Sequence, residues 1–209
     1  MQSLVNVRDQ VREHLITKMQ KGKLQIGKTI NLAALSRDLG VSVTPIREAL
    51  TQLQQSQIIQ AIPNRGFIVG ELQVNEAKNL YELVANMESL ALEESDFEQH
   101  HISQIRKAYQ KFEFVTTPLE KVNADYQLHG LLTRNYGNPI AQRLLKELKT
   151  RLFFYELHLA QHTEAYKGAH NQHYSIISAI EENNKPTAAL ILKMNWQQSL
   201  GYMQKMLAH

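Results

Sequence analysis

Asp125 and His129 stand four residues apart in one helical pattern, so both side chains leave the same face a turn apart and can share a cation. His173, at the start of the strong helical pattern Tyr174 to Ile180, offers a second imidazole. Two imidazoles and a carboxylate suit zinc, nickel, iron or manganese, and positions left open on such an ion accept water or an anion. Other histidines compete on spacing alone: His158 lies four before His162, and His170 three before His173. The 209 residues contain no cysteine, which excludes disulfides, thiolate metal sites and a cysteine nucleophile. A metal-dependent enzyme is the alternative function, but no helix carries His-Glu-x-x-His and no nucleophile, base and orienting residue can be picked out.

A second set of residues has the chemistry of nucleic-acid contact. Ser42, Thr44 and Arg47 are short, polar or basic and open a helical pattern, and Arg65 sits in the tight turn Asn64-Arg65-Gly66. An arginine on such a helix grips guanine O6 and N7 or clamps a phosphate, and one at a turn tip reaches a minor groove or backbone. Each also has an ordinary role, Arg47 as a solvated helix residue and Arg65 as a turn residue. Charge leans the same way. Residues 1–72 hold 9 Lys+Arg against 5 Asp+Glu, and the remainder holds 14 against 15, so a chain of net +3 is +4 at its start and −1 beyond.

The elements that position these residues follow from periodicity. Val7, Val11, Leu15, Ile16 and Met19 form one stripe of a helix over 5–19. A short helix, Leu32 to Leu39, is capped by Asn31 and stopped by Gly40. Ser42 or Thr44 caps a third helix that takes Pro45 in its first turn and runs through Ala49, Leu50 and Leu53. Two helices joined by a tight glycine turn make a helix-turn-helix. Ile58 to Ile62 and Phe67 to Gly70 are strands around the turn Pro63 to Gly66, a two-stranded wing. Beyond residue 71 the pattern is helical to the end, with breaks near 116–118, 136–139, 167–170 and 183–186, giving a bundle of about six helices.

The expected architecture is therefore mainly α, with a winged helix-turn-helix over 1–72 and an all-helical antiparallel bundle over 73–209. The longest uninterrupted apolar run, Ala188 to Leu192, is far short of the roughly 20 residues that span a bilayer. The start MQSLVNVRDQ has no apolar signal region, so a cytoplasmic protein without a membrane partner is expected.

The stretch Leu35-Ser36-Arg37-Asp38-Leu39-Gly40-Val41-Ser42-Val43-Thr44-Pro45-Ile46-Arg47-Glu48-Ala49-Leu50, followed by Pro63-Asn64-Arg65-Gly66-Phe67-Ile68-Val69, resembles the N-terminal domain of GntR-family regulators. The resemblance implies contact with double-stranded operator DNA through Arg37, Ser42, Thr44, Arg47, Asn64, Arg65 and Gly66. This chain departs from the motif "LGVSRTPVREAL" at Val43, where an arginine usually stands, and at Gln57, where glycine is common. The segment from about Glu76 to Leu207 resembles the FCD effector domain of the FadR-like branch. Leu80-Tyr81-Glu82 with Glu88 and Ala91, Asp125 to His129, Asn138-Pro139, His173 to Ile180, and Ala188-Ala189 leading to Asn195 carry the likeness.

That second resemblance implies a divalent metal ion, zinc, nickel or similar, held by Asp125, His129 and His173 beside a pocket for a carboxylate metabolite. Asn195 occupies the place of a usual third histidine and would be a weaker fourth ligand. Val84 stands where relatives often carry an arginine in "RxxxE", here ending at Glu88. Met87, Leu90, Phe153, Phe154 and Trp196 are candidate pocket residues, although aromatic and Met side chains at helical spacing are more often core. The expectation is a homodimeric repressor responding to a small-molecule effector, because two half-sites about 34 Å apart need two recognition helices. A purely metal-sensing regulator would use the same bundle.

Overall fold

The structure is a computed structural model that describes residues 4–21, 23–55, 58–63, 66–161 and 168–208. Asn64 and Arg65 of the turn, Gln57 and His162 lie outside the described residues. The chain divides into two compact units, Met1–Leu72 and Gln73–His209. Among the described residues it forms nine helices and one two-stranded sheet.

In the first unit, α1 (Leu4–Gln20) packs on α3 (Val43–Gln55), and Leu15, Ile46, Leu50 and Leu53 are shut off from water. Between them α2 (Leu32–Leu39) begins where the Asn31 side chain accepts from the Ala34 amide at 3.0 Å. It ends at Gly40, whose φ of +64° lies in the left-handed region that a side chain resists. The Ser36 hydroxyl donates to the Val41 carbonyl at 2.6 Å, holding the turn that presents α3. Pro45 takes the third position of α3, where no intrahelical donor is lost.

Strands β1 (Ile59–Ile62) and β2 (Gly66–Val69) pair antiparallel with Ile59 opposite Val69 and Ile62 opposite Gly66. Gly66 has a φ of +88°, which glycine adopts without strain. The segment before α2 adds a third rib to the wing: the amides of Gly27 and Ile30 donate to Val69 and Phe67, and Lys28 accepts from Val69. No period-two alternation marks Gln25 to Ile30, because only a few of its residues join the ladder.

The second unit contains α4 (Val74–Glu93), α5 (Gln99–Phe114), α6 (Pro118–Thr133), α7 (Pro139–Leu159), α8 (Ala169–Glu181) and α9 (Lys185–Leu207). Three of these helices start with one grammar, a side-chain cap followed by proline in the first turn: Thr117 with Pro118, Asn138 with Pro139, and Asn184 with Pro186. The break between α4 and α5 was not anticipated and has neither glycine nor proline. It is made by Ser95, whose hydroxyl returns to the Ala91 carbonyl at 2.6 Å while its own carbonyl accepts from Lys185 at 3.0 Å. Helix α4 packs against α6, α7 and α9, and α8 lies against α5 and α9. Tyr81, Phe112, Tyr155 and Trp196 are the largest fully buried side chains of this unit. No helix among the described residues is long and apolar enough to cross a membrane.

Candidate metal centre and DNA-reading face

Asp125 and His129 on α6 and His173 on α8 meet in the interior of the second unit, at 4 %, 0 % and 0 % exposure. One ligand atom from each lies within 4.8 Å of the other two. His129 Nε2 is 3.2 Å from His173 Nε2, and Asp125 Oδ1 is 3.3 Å from His173 Nε2 and 3.8 Å from His129 Nε2. Donors bound to one ion at about 2.0–2.1 Å lie about 3.3 Å apart at the tetrahedral angle. The spacing of these three atoms fits a shared cation.

The proton positions fit it too. His129 Nδ1 is 2.7 Å from Glu88 Oε2, and an ionised carboxylate only accepts, so Nδ1 carries a proton and Nε2 is the ring atom that would hold an ion. Burial by itself raises the Glu88 carboxyl, but the Lys149 ammonium and His129 outweigh it and hold the group down at about 2. Burial also pulls His129 down, and the charges of Asp125 and Glu88 reverse it to a net rise. His173 falls well below the usual imidazole range through burial and through the positive side of His129, Lys121 and His170. It is therefore neutral, as a ligand must be. Burial raises Asp125 in spite of His129 and Lys149.

Around Glu88 the packing is tight. Lys149 Nζ lies 2.5 Å from its Oε1, and the Trp196 indole N–H donates to Oε2 at 2.6 Å. Lys149 also stands over the Tyr126 ring, 4.9 Å from its centroid. Sequence reasoning singled out Glu88 through its motif but missed Lys149, whose position on α7, 61 residues away, no local pattern links to α4.

Asn195 is buried on α9 and donates its amide to Gln172 Oε1 at 2.8 Å, next to His173 on α8. Of the competing histidines, His158 sits half-buried on α7, while His170 stacks on Tyr109 at the surface and lies 3.4 Å from Glu113. Val84 is fully buried in α4. Among the candidate pocket residues, Phe153, Phe154 and Trp196 are core, whereas Leu90 is half exposed.

In the first unit α3 is divided by burial. Pro45, Ile46, Ala49 and Leu50 face inward, and Ser42, Val43, Thr44 and Arg47 are exposed at the start of the helix. Arg37 is exposed near the end of α2, and Gly66 is exposed at the start of β2. This is the disposition that lets the second helix of a helix-turn-helix enter a major groove.

Residues 7–69 match the bacterial regulatory proteins of the gntR family, and residues 79–197 match the FCD domain. The chain belongs to the GntR family of regulators. Its second unit is the FCD effector-binding domain of that family. The Bacillus subtilis HTH-type transcriptional regulator YdhC is 25% identical over 179 residues, covering 80% of this chain and 77% of the relative. The Escherichia coli regulator McbR is 23% identical over 210 residues, covering 93% and 91%. In structure, E. coli McbR/YncC superimposes with a TM-score of 0.79 at 20% identity over 99% of both chains. A putative GntR transcriptional regulator from Rhodococcus sp. RHA1 gives 0.83 at 16% identity, over 95% of this chain and 97% of that one. All of these GntR proteins are described as transcriptional regulators.

The Glu88 network makes a direct prediction for stability. Glu88→Gln leaves the Lys149 ammonium buried without its counter-charge, a change that costs about 3–5 kcal/mol. Chemical denaturation should show that loss in the FCD unit, and an unchanged midpoint would mean that Lys149 relaxes to water at no penalty.

Proposed function

We propose that this chain is a homodimeric regulator whose α3 helices read two half-sites of an operator, and whose FCD domain holds a divalent cation on Asp125, His129 and His173. Asn195 is a weaker or water-bridged fourth partner. An anionic metabolite, a carboxylate, completes the shell. The observation that carries this reading is the buried convergence of three donor atoms with the His129 tautomer already set by Glu88. When bound, the cation supplies a Lewis-acidic positive charge to which a carboxylate coordinates. Asp125 brings negative charge and the two imidazoles bring neutral lone pairs, a set that suits zinc or nickel. The amide of Asn195 is a poorer donor than imidazole.

DNA contact is supported by the exposure of Ser42, Thr44 and Arg47 on one end of α3, with Arg37 nearby in sequence on α2. Asn64, Arg65 and Gly66 complete the proposed contact set at the wing. Dimerisation is supported by α4 and α9, which are neighbours through the Ser89 to Ala189 hydrogen bond and leave Leu83, Leu90, Leu190 and Met194 exposed on the same pair of helices. Apolar side chains grouped in this way mark association surfaces more often than solvent-facing ones.

Three measurements bear on these claims. Titration calorimetry of metal-stripped protein with zinc, nickel and manganese should show that His173→Ala weakens binding tenfold or more, about 1.4 kcal/mol, and that Asn195→His tightens it. If no ion prefers the native chain over the alanine variant, the cluster is a polar core. If an ion binds but succinate affinity is the same with and without it, the effector lies elsewhere and the domain senses metal alone.

Arg47→Ala should lower operator affinity by about 1–3 kcal/mol if the side chain reads a base, and should flatten the salt dependence by about one unit of slope if it holds a phosphate. Binding that is unchanged at several salt concentrations removes Arg47 from the interface. Sedimentation of the full chain should give a dimer, and Leu83→Glu with Leu90→Glu should give a folded monomer. A native monomer at micromolar concentration would refute the dimer.

A further inference from the structure

Val43 is the first residue of α3 and is 36% exposed, whereas Ile46, Ala49, Leu50 and Leu53 of the same helix have none of their surface in water. By helical angle it lies at the edge of that buried stripe, between Leu50 and Arg47, at the end of the helix where Ser42 and Thr44 are also exposed. Its side chain therefore reaches past the core. Nor is it there for the helix: valine is among the poorer helix formers, and an exposed one in the first turn gains nothing from burial. The apolar contact that fixes the chain's entry into a helix belongs to the residue before the cap and the fourth helical residue. Half-buried Val41 and buried Ile46 hold those two places.

An apolar, branched side chain on this face has one complementary group in the major groove. Guanine, cytosine and adenine present hydrogen-bonding atoms there, while thymine adds a C5 methyl group, which accepts apolar contact and no hydrogen bond. We infer that Val43 reads a thymine methyl, so that each operator half-site carries a T·A pair at the base step facing this residue. The inference rests on the proposed reading of DNA by α3. Arg47, one turn further on and exposed on the adjacent strip, keeps the polar readout. Val43 thereby changes which base is preferred and leaves the docking of the helix as it is. A methyl-reading position also favours thymine over uracil and 5-methylcytosine over cytosine, which no hydrogen-bond readout of the exocyclic group would do.

The test begins with selection from a random duplex library by the full chain, by Val43→Ala and by Val43→Arg, both surface changes that leave the helix core untouched. The native chain should enrich thymine at one position of each half-site, where the arginine variant enriches guanine and the alanine variant relaxes. Replacing that thymine by uracil removes one methyl group. It should weaken the native chain about fourfold per half-site, the equivalent of roughly 0.8 kcal/mol for a buried methyl, and leave Val43→Ala unchanged. Placing 5-methylcytosine there should recover part of the loss that cytosine causes. The inference is overturned if all three proteins select the same bases, or if the uracil penalty survives in Val43→Ala. Failure of every protein to enrich any duplex would instead overturn DNA reading by α3 itself.

Discussion

Four helices of the FCD domain meet at one carboxylate that water does not reach. Glu88 of α4 accepts from His129 of α6, Lys149 of α7 and Trp196 of α9, so one buried anion fixes the relative positions of all four elements. A buried charge left unpaired is so costly that the packing has little freedom to slip. The same bond decides the chemistry of the cluster. By holding a proton on His129 Nδ1, Glu88 leaves Nε2, 3.2 Å from Nε2 of His173, as the ring atom that would face an ion, and the candidate site exists because of this supporting bond as much as because of its own donors.

The DNA-binding unit depends on a smaller constraint of the same kind. The turn between α2 and α3 is three residues long, Gly40 to Ser42, and it starts with a left-handed residue that Gly40 supplies. Ser36 then closes the turn on Val41. With the buried stripe of α3 packed toward α1, the exposed end of the helix has no choice about which residues it shows. Ser42, Val43, Thr44 and Arg47 are presented by geometry, and only their chemistry is left to vary.

Much of this was legible in the sequence where the determining interactions are local. Asn31 with Gly40 bounds α2, the breaks near 116–118, 136–139 and 183–186 fall where Thr117, Asn138 and Asn184 cap helices, and the turn at Pro63 to Gly66 marks the wing. What escaped are features whose cause lies far away in sequence. The third rib of the wing is drawn in by Val69 and Phe67, and the α4 to α5 break is held by Lys185. The candidate metal ligands Asp125, His129 and His173 were singled out only with help from resemblance, since Asp125 with His129 looks no better by spacing than His158 with His162. Burial separates His173 from His170: three residues apart on α8, one is sealed beside Phe112 and the other faces solvent against Tyr109 and Glu113.

Buried Val84, at the place of a usual arginine, bears on how an anionic effector of the kind proposed would be held. In and beside the cluster the negative charges are Asp125 and Glu88, and the positive ones are Lys149 and Lys121, the latter half-buried one turn before Asp125 on α6. His173 is held neutral by burial and its positive neighbours, while His129, pulled up by Asp125 and Glu88, must release a proton before its Nε2 can hold an ion. Lys149 is also tied to Glu88 and Lys121 to the Phe112 carbonyl at 2.6 Å, so neither side chain stands ready to grip a ligand by itself. A divalent cation entering this set brings two charges to carboxylates that Lys149 and Lys121 already face. In a dry interior such an excess is unfavourable until an anion joins it. On the proposed reading, carboxylate binding therefore follows from the ion and not from a side chain at position 84, which is why buried valine there is compatible with an anionic effector.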